Sequence, residues 1–273
     1  MKVGIIGAGH IGSILARDLQ KLNHTVLIAN SRGPETLTKV AQDTGAIPVS
    51  VSEAADGVDL LIITIPIQNV RLLPKDLLSR LPLKSPIIDT TNYYPPVSGH
   101  IDEIDGGMVE AEWVSQILGR RVIKAFNNIF ADSLRLRGLP KGARNRLALA
   151  ISGDNLDQKR VVMALVDAIG FEPFDAGLLS ESWRYRPGTP AYCSDLTLKE
   201  LLTLLKLADR QKAIRKRDSA GDALSKVILA YPQTKLVRIL RLSAGLDTWK
   251  PSSWTTFLGL VAAIVRSKLG SKP

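Results

Sequence analysis

An α/β fold, with a doubly wound and mostly parallel sheet and a helical C-terminal extension, is predicted by three features of the 273-residue sequence. Short apolar runs alternate with segments of helical periodicity over the first 130 residues, which is the pattern of a parallel sheet wrapped by helices. A glycine-rich turn separates the first apolar run from the first helical one. From Asp195 onward the pattern is helical alone. A composition of 45% hydrophobic and 23% charged residues excludes a disordered chain, and the length is ample for a buried core.

The elements follow in order. Lys2–Ile6 reads as a buried strand, and residues 11–22 place Ile11, Ile14, Leu15, Leu19 and Leu22 at helical spacing. Residues 25–29 (TVLIA) form a second strand, and residues 34–42 a helix opened by Pro34 in its first turn. Residues 60–64 (LLIIT) are an uninterrupted apolar strand, as expected when both sheet faces are covered. Residues 86–89 and 121–126 read as strands on either side of a helix at 108–118. A βαβ-like stretch follows, with strands at 146–151 and 171–174 and a helix at 156–169 that ends at Gly170. This divides the chain into a Rossmann-like dinucleotide-binding domain at 1–194 (core 1–130, additional part 131–194) and a basic helical extension at 195–273, joined where Pro187, Gly188 and Pro190 mark an irregular link.

Charge divides the same way. Residues 1–195 hold 21 basic and 21 acidic side chains, whereas residues 196–273 hold 15 basic and five acidic ones, so the whole excess of +10 lies in the last 78 residues. Lys212, Arg215, Lys216 and Arg217 continue a leucine-rich helix and read as its solvated or homo-oligomerising face, or as an attraction to a membrane surface, helped by Trp254, Phe257 and Leu258. No recognised motif supports nucleic acid as a partner. Residues 254–265, the longest late apolar stretch, are too few to span a bilayer. The start MKVGIIGAGH has too few apolar residues before its glycines for a signal peptide, and the single Cys193 cannot form an internal disulfide. A cytoplasmic setting is expected, with Cys193 as a buried structural thiol.

Gly7-Ala8-Gly9-His10-Ile11-Gly12 follows the first strand and opens the first helix, the context that turns a weak glycine pattern into a dinucleotide site. Gly7 permits the tight turn, Gly9 lets backbone approach a pyrophosphate, and Gly12 lets helix pack on strand. The helix N-terminus offers N–H groups and partial positive charge to the anion. The second strand ends in Asn30-Ser31-Arg32, with no carboxylate for a ribose 2′-hydroxyl; a hydroxyl and a guanidinium suit a 2′-phosphate, so NADP(H) is the expected cofactor. Thr64-Ile65-Pro66-Ile67, the 89–94 loop with Asn92, and Asn127-Asn128 stand at further strand ends and are candidates for the nicotinamide half, although the 89–94 loop also suits a capped turn.

His10, His24 and His100 show no metal-ligand or nucleophile–base spacing, and no carboxylate pair stands out. Hydride transfer needs neither; it needs rings held in contact, so no catalytic residue is assigned and no metal is expected. Trp183, Arg184, Tyr185 and Arg186 read equally as a lid over an electron acceptor or as a surface segment with a core tryptophan.

Together GAGHIG, NSRGPETL, TIP, DTTNYYP and KAFNNI resemble the F420-dependent NADP oxidoreductase family over about residues 1–190, with Ser152-Gly153-Asp154 and Asp175-Ala176-Gly177 continuing the likeness. The resemblance implies hydride transfer between NADPH and a deazaflavin (F420) acceptor. A related domain in metalloreductases of the STEAP type leaves a flavin or ferric acceptor open. It places Gly9 to Gly12 at the pyrophosphate, Ser31 and Arg32 at the 2′-phosphate, and Ile65 to Ile67 beside the nicotinamide. Asn127, Asn128 and the residues to Ala131 would flank the ring where the small-molecule electron acceptor stacks. This chain runs well past the region at which archaeal members end. An NADPH-sensing module without turnover is the alternative from another class.

Overall fold

The computed structural model describes residues 1–218 and 231–269. Six parallel strands form one sheet in the order β3-β2-β1-β4-β5-β6. They are β1 (Lys2–Ile6), β2 (Thr25–Ala29), β3 (Ile47–Pro48), β4 (Leu60–Ile63), β5 (Ile87–Asp89) and β6 (Ile123–Lys124). The α/β, doubly wound class is therefore observed, and the alternation along each strand explains it. Val3, Ile5, Val26, Ile28, Leu60 and Ile62 enter one core with Leu15, Leu134 and Val162. Ile6, Leu27, Ala29, Leu61 and Ile63 enter the other with Ala54 and Trp113. Successive side chains point to opposite faces, so an all-apolar strand must be covered twice.

The first face is covered by α1 (His10–Lys21), α7 (Ala131–Leu136) and α8 (Leu156–Ala168), and the second by α3 (Val51–Ala54) and α6 (Glu110–Leu118). The helix expected at 34–42 is a 3-10 turn, Pro34–Leu37, followed by α2 (Thr38–Thr44), which Gly45 ends with φ 78°. β3 escaped the sequence reading because two residues carry no periodicity. The strand expected at 121–126 shortens to Ile123–Lys124, and Phe126 beyond it takes φ 60°, a left-handed backbone rare for a bulky side chain. Two short helices, α4 (Pro95–Ser98) and α5 (Asp102–Asp105), lie between β5 and α6.

β7 (Ala148–Ile151) and β8 (Glu172–Asp175) pair in parallel across α8, which Asn155 caps by accepting from the Gln158 N–H at 3.0 Å. This pair joins the main sheet through an antiparallel bridge, Lys124 N–H to Ser152 O at 2.8 Å and the reverse bond at 3.1 Å.

The C-terminal extension is helical where described. α9 (Leu198–Lys206) opens on a Thr197/Glu200 capping box and buries Leu201, Leu204 and Leu205 with Ala148, Ala150 and Tyr185. After it come α10 (Arg210–Asp218) and two helices packed on each other, Gln233–Ser243 and Pro251–Leu269. Of the basic run, Arg217 departs from the expected solvated face. It is buried over the Tyr93 ring at 4.7 Å, with Asp218 at 2.6 Å and Asp105 and Glu110 each at 3.9 Å. The Tyr93 hydroxyl, pushed up to about 12 chiefly by burial, donates to Asp105 at 2.8 Å. On the last helix Trp254, Phe257, Leu258, Val261 and Val265 are exposed, and no helix among the described residues is long and apolar enough to cross a membrane. Cys193 is buried, which pushes its thiol up.

Candidate functional site

Register brings the predicted loops together. Ile6 pairs with Ala29 and with Ile63, Ile63 with Asp89, and Asp89 with Lys124. The turns that leave β1, β2, β4, β5 and β6 therefore lie along one carboxyl edge of the sheet, the edge where open α/β sheets bind ligands.

The glycine turn has three different environments. Gly7 has φ 118°, its N–H donates to Ala29 O at 2.8 Å, and a Cβ there would lie 2.3 Å from Thr64 O. A Cβ on Gly12 would lie 1.9 Å from Gly7 O and 3.0 Å from Thr64 Cγ2. On Gly9 a Cβ would meet nothing within 4 Å. Two glycines thus hold the turn closed against β4, and the third leaves an open approach to backbone. Gly9 is also the N-cap of α1, makes no side-chain cap bond, and no acid stands in the first turn. Ala8 and Ile11 are half-buried and His10 is exposed. The opening α1 N–H groups, without intrahelical acceptors, point to this approach. These residues fit a dinucleotide pyrophosphate.

The loop after β2 is folded by its own side chains. Asn30 Oδ1 accepts from the Arg32 N–H at 2.9 Å, Asn30 Nδ2 donates to Thr36 Oγ1 at 2.9 Å, and that hydroxyl donates to Gly33 O at 2.8 Å. Asn30 is thus used in an Asx-type turn. Ser31 and Arg32 are exposed, and their side chains have no partner among the described residues. The acid of this loop, Glu35, sits with its carboxylate against Gly33.

Thr64 and Ile65 are half-buried and Pro66 exposed, but Ile67 is fully buried in the second core. Its side chain belongs to that core and not to the cofactor edge, which corrects the expectation at this position. Asn92 Nδ2 donates to Asn127 O at 2.9 Å, and Asn127 Nδ2 lies 3.4 Å from both Asn92 Oδ1 and Tyr185 O. Asn127 Oδ1 is buried with no hydrogen-bond partner among the described residues. Asn128 Oδ1 is likewise orphaned, and the residue lines a small interior cavity with Asp195 and Leu196. Ala131 is half-buried at the start of α7, against the first core.

The aromatic–basic cluster divides. Trp183 is half-buried, with Arg184 4.7 Å and Arg210 5.9 Å from its ring, and Arg184 is paired to Glu181 at 2.6 Å. Tyr185 is 0% exposed, its hydroxyl 3.4 Å from Lys124 O. A ring sealed in the core beside α9 offers no face to an acceptor, so Tyr185 is a core residue. Arg186 is also buried, paired with Glu110 at 3.2 Å.

One strong element of the edge escaped the sequence reading. Lys124 Nζ donates to Asp89 Oδ2 at 2.8 Å and to Thr91 O at 2.5 Å, while Asp89 Oδ1 accepts from the Thr91 N–H at 2.8 Å. Lys124 and Asp89 are 3% and 0% exposed. An Asp and a Lys closing two apolar strands were the signal, since a charge in a covered parallel strand needs a partner.

The chain is similar to known proteins in sequence and in fold. The family model "NADP oxidoreductase coenzyme F420-dependent" matches residues 2–93. A hypothetical protein of Sinorhizobium meliloti, SMa0349, is 30% identical, with 66% of this chain and 86% of that one covered at a TM-score of 0.55. A protein of Arthrobacter sp. FB24, assigned as an F420-dependent NADP-reductase, shares the fold at 19% identity, 67% and 87% coverage and a TM-score of 0.53. The Escherichia coli (strain K12) protein YjhV is 43% identical over 72 residues, 26% of this chain; the match spans about half, 53%, of that protein's length. By the glycine turn, the register that gathers the loops around it, and the 30% identity to a solved relative over most of its length, this chain belongs to the F420-dependent NADP oxidoreductase family of NAD(P)-binding Rossmann-fold proteins.

Proposed function

We propose that this chain is an NADP(H)-dependent oxidoreductase that moves hydride between NADPH and a flat small-molecule acceptor of the flavin or deazaflavin (F420) class. The observation that carries the reading is the open Gly9 between two closed glycines, an approach to helix N–H groups shaped for a diphosphate. When bound, the nicotinamide supplies the hydride. The N-terminus of α1 would hold the pyrophosphate, and the Ser31 hydroxyl with the Arg32 guanidinium the 2′-phosphate. Thr64, Ile65 and Pro66 would border the nicotinamide half. The joined Asn92 and Asn127 amides fix the neighbouring loops, and the orphaned Asn127 Oδ1 remains able to accept a hydrogen bond. Asp89 and Lys124 are engaged with each other, which suits a reaction that needs positioning more than proton transfer.

Purified protein with NADPH and, in turn, a deazaflavin, FMN, FAD and a ferric chelate should lose the reduced-nicotinamide absorbance with at least one acceptor. Tight NADPH binding with no oxidation by any of them would overturn the enzymatic reading in favour of a sensing module. Arg32→Ala should weaken NADPH by about tenfold to a hundredfold, the loss of one charge-assisted contact, and leave NADH within about twofold. Equal losses for both nucleotides in a titration would remove the 2′-phosphate assignment.

A further inference from the structure

The last helix, Pro251–Leu269, packs against the helix Gln233–Ser243 and leaves an apolar side uncovered. Ser253 and Leu260, two turns apart, are buried. Trp254, Phe257, Leu258, Val261 and Val265 follow the spacing i, i+3, i+4, i+7 and i+11, so they share one stripe of the helix. All five are exposed, Leu258 by 62% and Trp254 by 48%. Trp249, just before the helix, is 78% exposed. Scattered exposed apolar side chains are ordinary, but a continuous stripe of them marks an interaction surface.

The charge around the stripe has one sign. Residues 251–265 carry no charged side chain, Lys250 precedes them, and Arg266, Lys268 and Lys272 follow in the sequence. No acid occurs from 248 to 273. The neighbouring helix, Gln233–Ser243, exposes Lys235 and Arg238 and also contains no acid. Lys250 is paired with Asp247 at 3.0 Å, the one acid between the two helices. Residues 1–195 are neutral in sum, so the positive charge belongs to this part of the molecule and not to its nucleotide-binding body.

We infer that the last helix is a docking surface for an anionic lipid bilayer and lies in the plane of its headgroups. The tryptophan and phenylalanine rings and the aliphatic side chains would enter the headgroup boundary, while the surrounding bases meet anionic headgroups. The helix is not long and apolar enough to cross, which suits a helix that rests on the surface. A second copy of the chain fits this stripe less well. Two copies paired through it about a twofold axis would bring bases to bases, with no acid from 248 to 273 to answer them. None of these residues belongs to the loops assigned to the nucleotide, so the inference stands apart from the reductase reading.

The test is flotation of the full chain with two kinds of vesicle, phosphatidylcholine alone and phosphatidylcholine with phosphatidylglycerol in equal parts. The chain should bind the anionic vesicles at least about tenfold more tightly than the neutral ones, and added salt should weaken that binding. Leu258 and Val261 are exposed, so the double variant Leu258→Ser, Val261→Ser should keep its melting temperature and hold NADPH within about twofold. Its binding to the anionic vesicles should fall at least about tenfold. The inference fails if the chain floats with neither vesicle, if it floats equally with both, or if the double variant binds as the unaltered chain does. It also fails if light scattering finds a dimer that the double variant separates into monomers, because a second copy would then occupy the stripe. NADPH binding is read in parallel, which keeps failure here distinct from failure of the reductase reading.

Discussion

Gly12→Ala is expected to cost about 3 kcal/mol of folding stability and about a hundredfold in NADPH affinity. The added Cβ would stand 1.9 Å from the carbonyl oxygen of Gly7. That atom is backbone, in a turn whose N–H is already tied to Ala29 and whose Cα abuts Thr64. It cannot swing aside as the end of a side chain would, so α1 must lift from β1 and carry its N–H groups away from the anion. Gly9→Ala is the matching control. Its Cβ meets nothing within 4 Å, so the melting temperature should hold while NADPH weakens through the lost approach. Thermal denaturation and a nucleotide titration on the two variants check both parts. A Gly12→Ala protein with ordinary melting and ordinary affinity would mean the helix does not rest on the turn as described.

The second large effect is expected at Lys124. Lys124→Met keeps the length of the side chain but leaves Asp89 charged and fully buried, with the Thr91 N–H as its remaining donor. Removing one partner of a buried ion pair typically costs about 3–5 kcal/mol, a large share of a total of about 5–15 kcal/mol. The double variant Asp89→Asn, Lys124→Met should recover most of this, because no unpaired charge is then left. Urea denaturation of the two variants measures the difference. A single variant within about 1 kcal/mol of the unaltered chain would show that solvent reaches the pair, so that it does not close β5 against β6.

What was legible in the sequence was what local geometry dictates. Three glycines at fixed spacing after a strand have different surroundings, Gly7 and Gly12 crowded by backbone and Gly9 open, and five of the six sheet strands were visible because buried parallel strands are apolar throughout. Ile67 and Tyr185 were misplaced for a related reason. Position along a loop does not say which way a side chain turns, and both rings of contacts that bury them come from segments distant in sequence, Tyr185 through α9. The charge of the extension was legible as a count but not as a use. Arg217 and Arg241 are engaged by acids and carbonyls, so part of the excess ties the extension down.

The way the main sheet stops at each side governs how copies of this chain can meet. On one side β3 is two residues long, and Pro48 lacks the N–H that a newcomer would need. On the other, the Lys124–Ser152 bridge occupies β6 with an antiparallel neighbour. A foreign strand thus finds little backbone to zip onto at either border, so strand addition and fibril growth from the folded sheet are disfavoured. Association between copies is left to the helical faces.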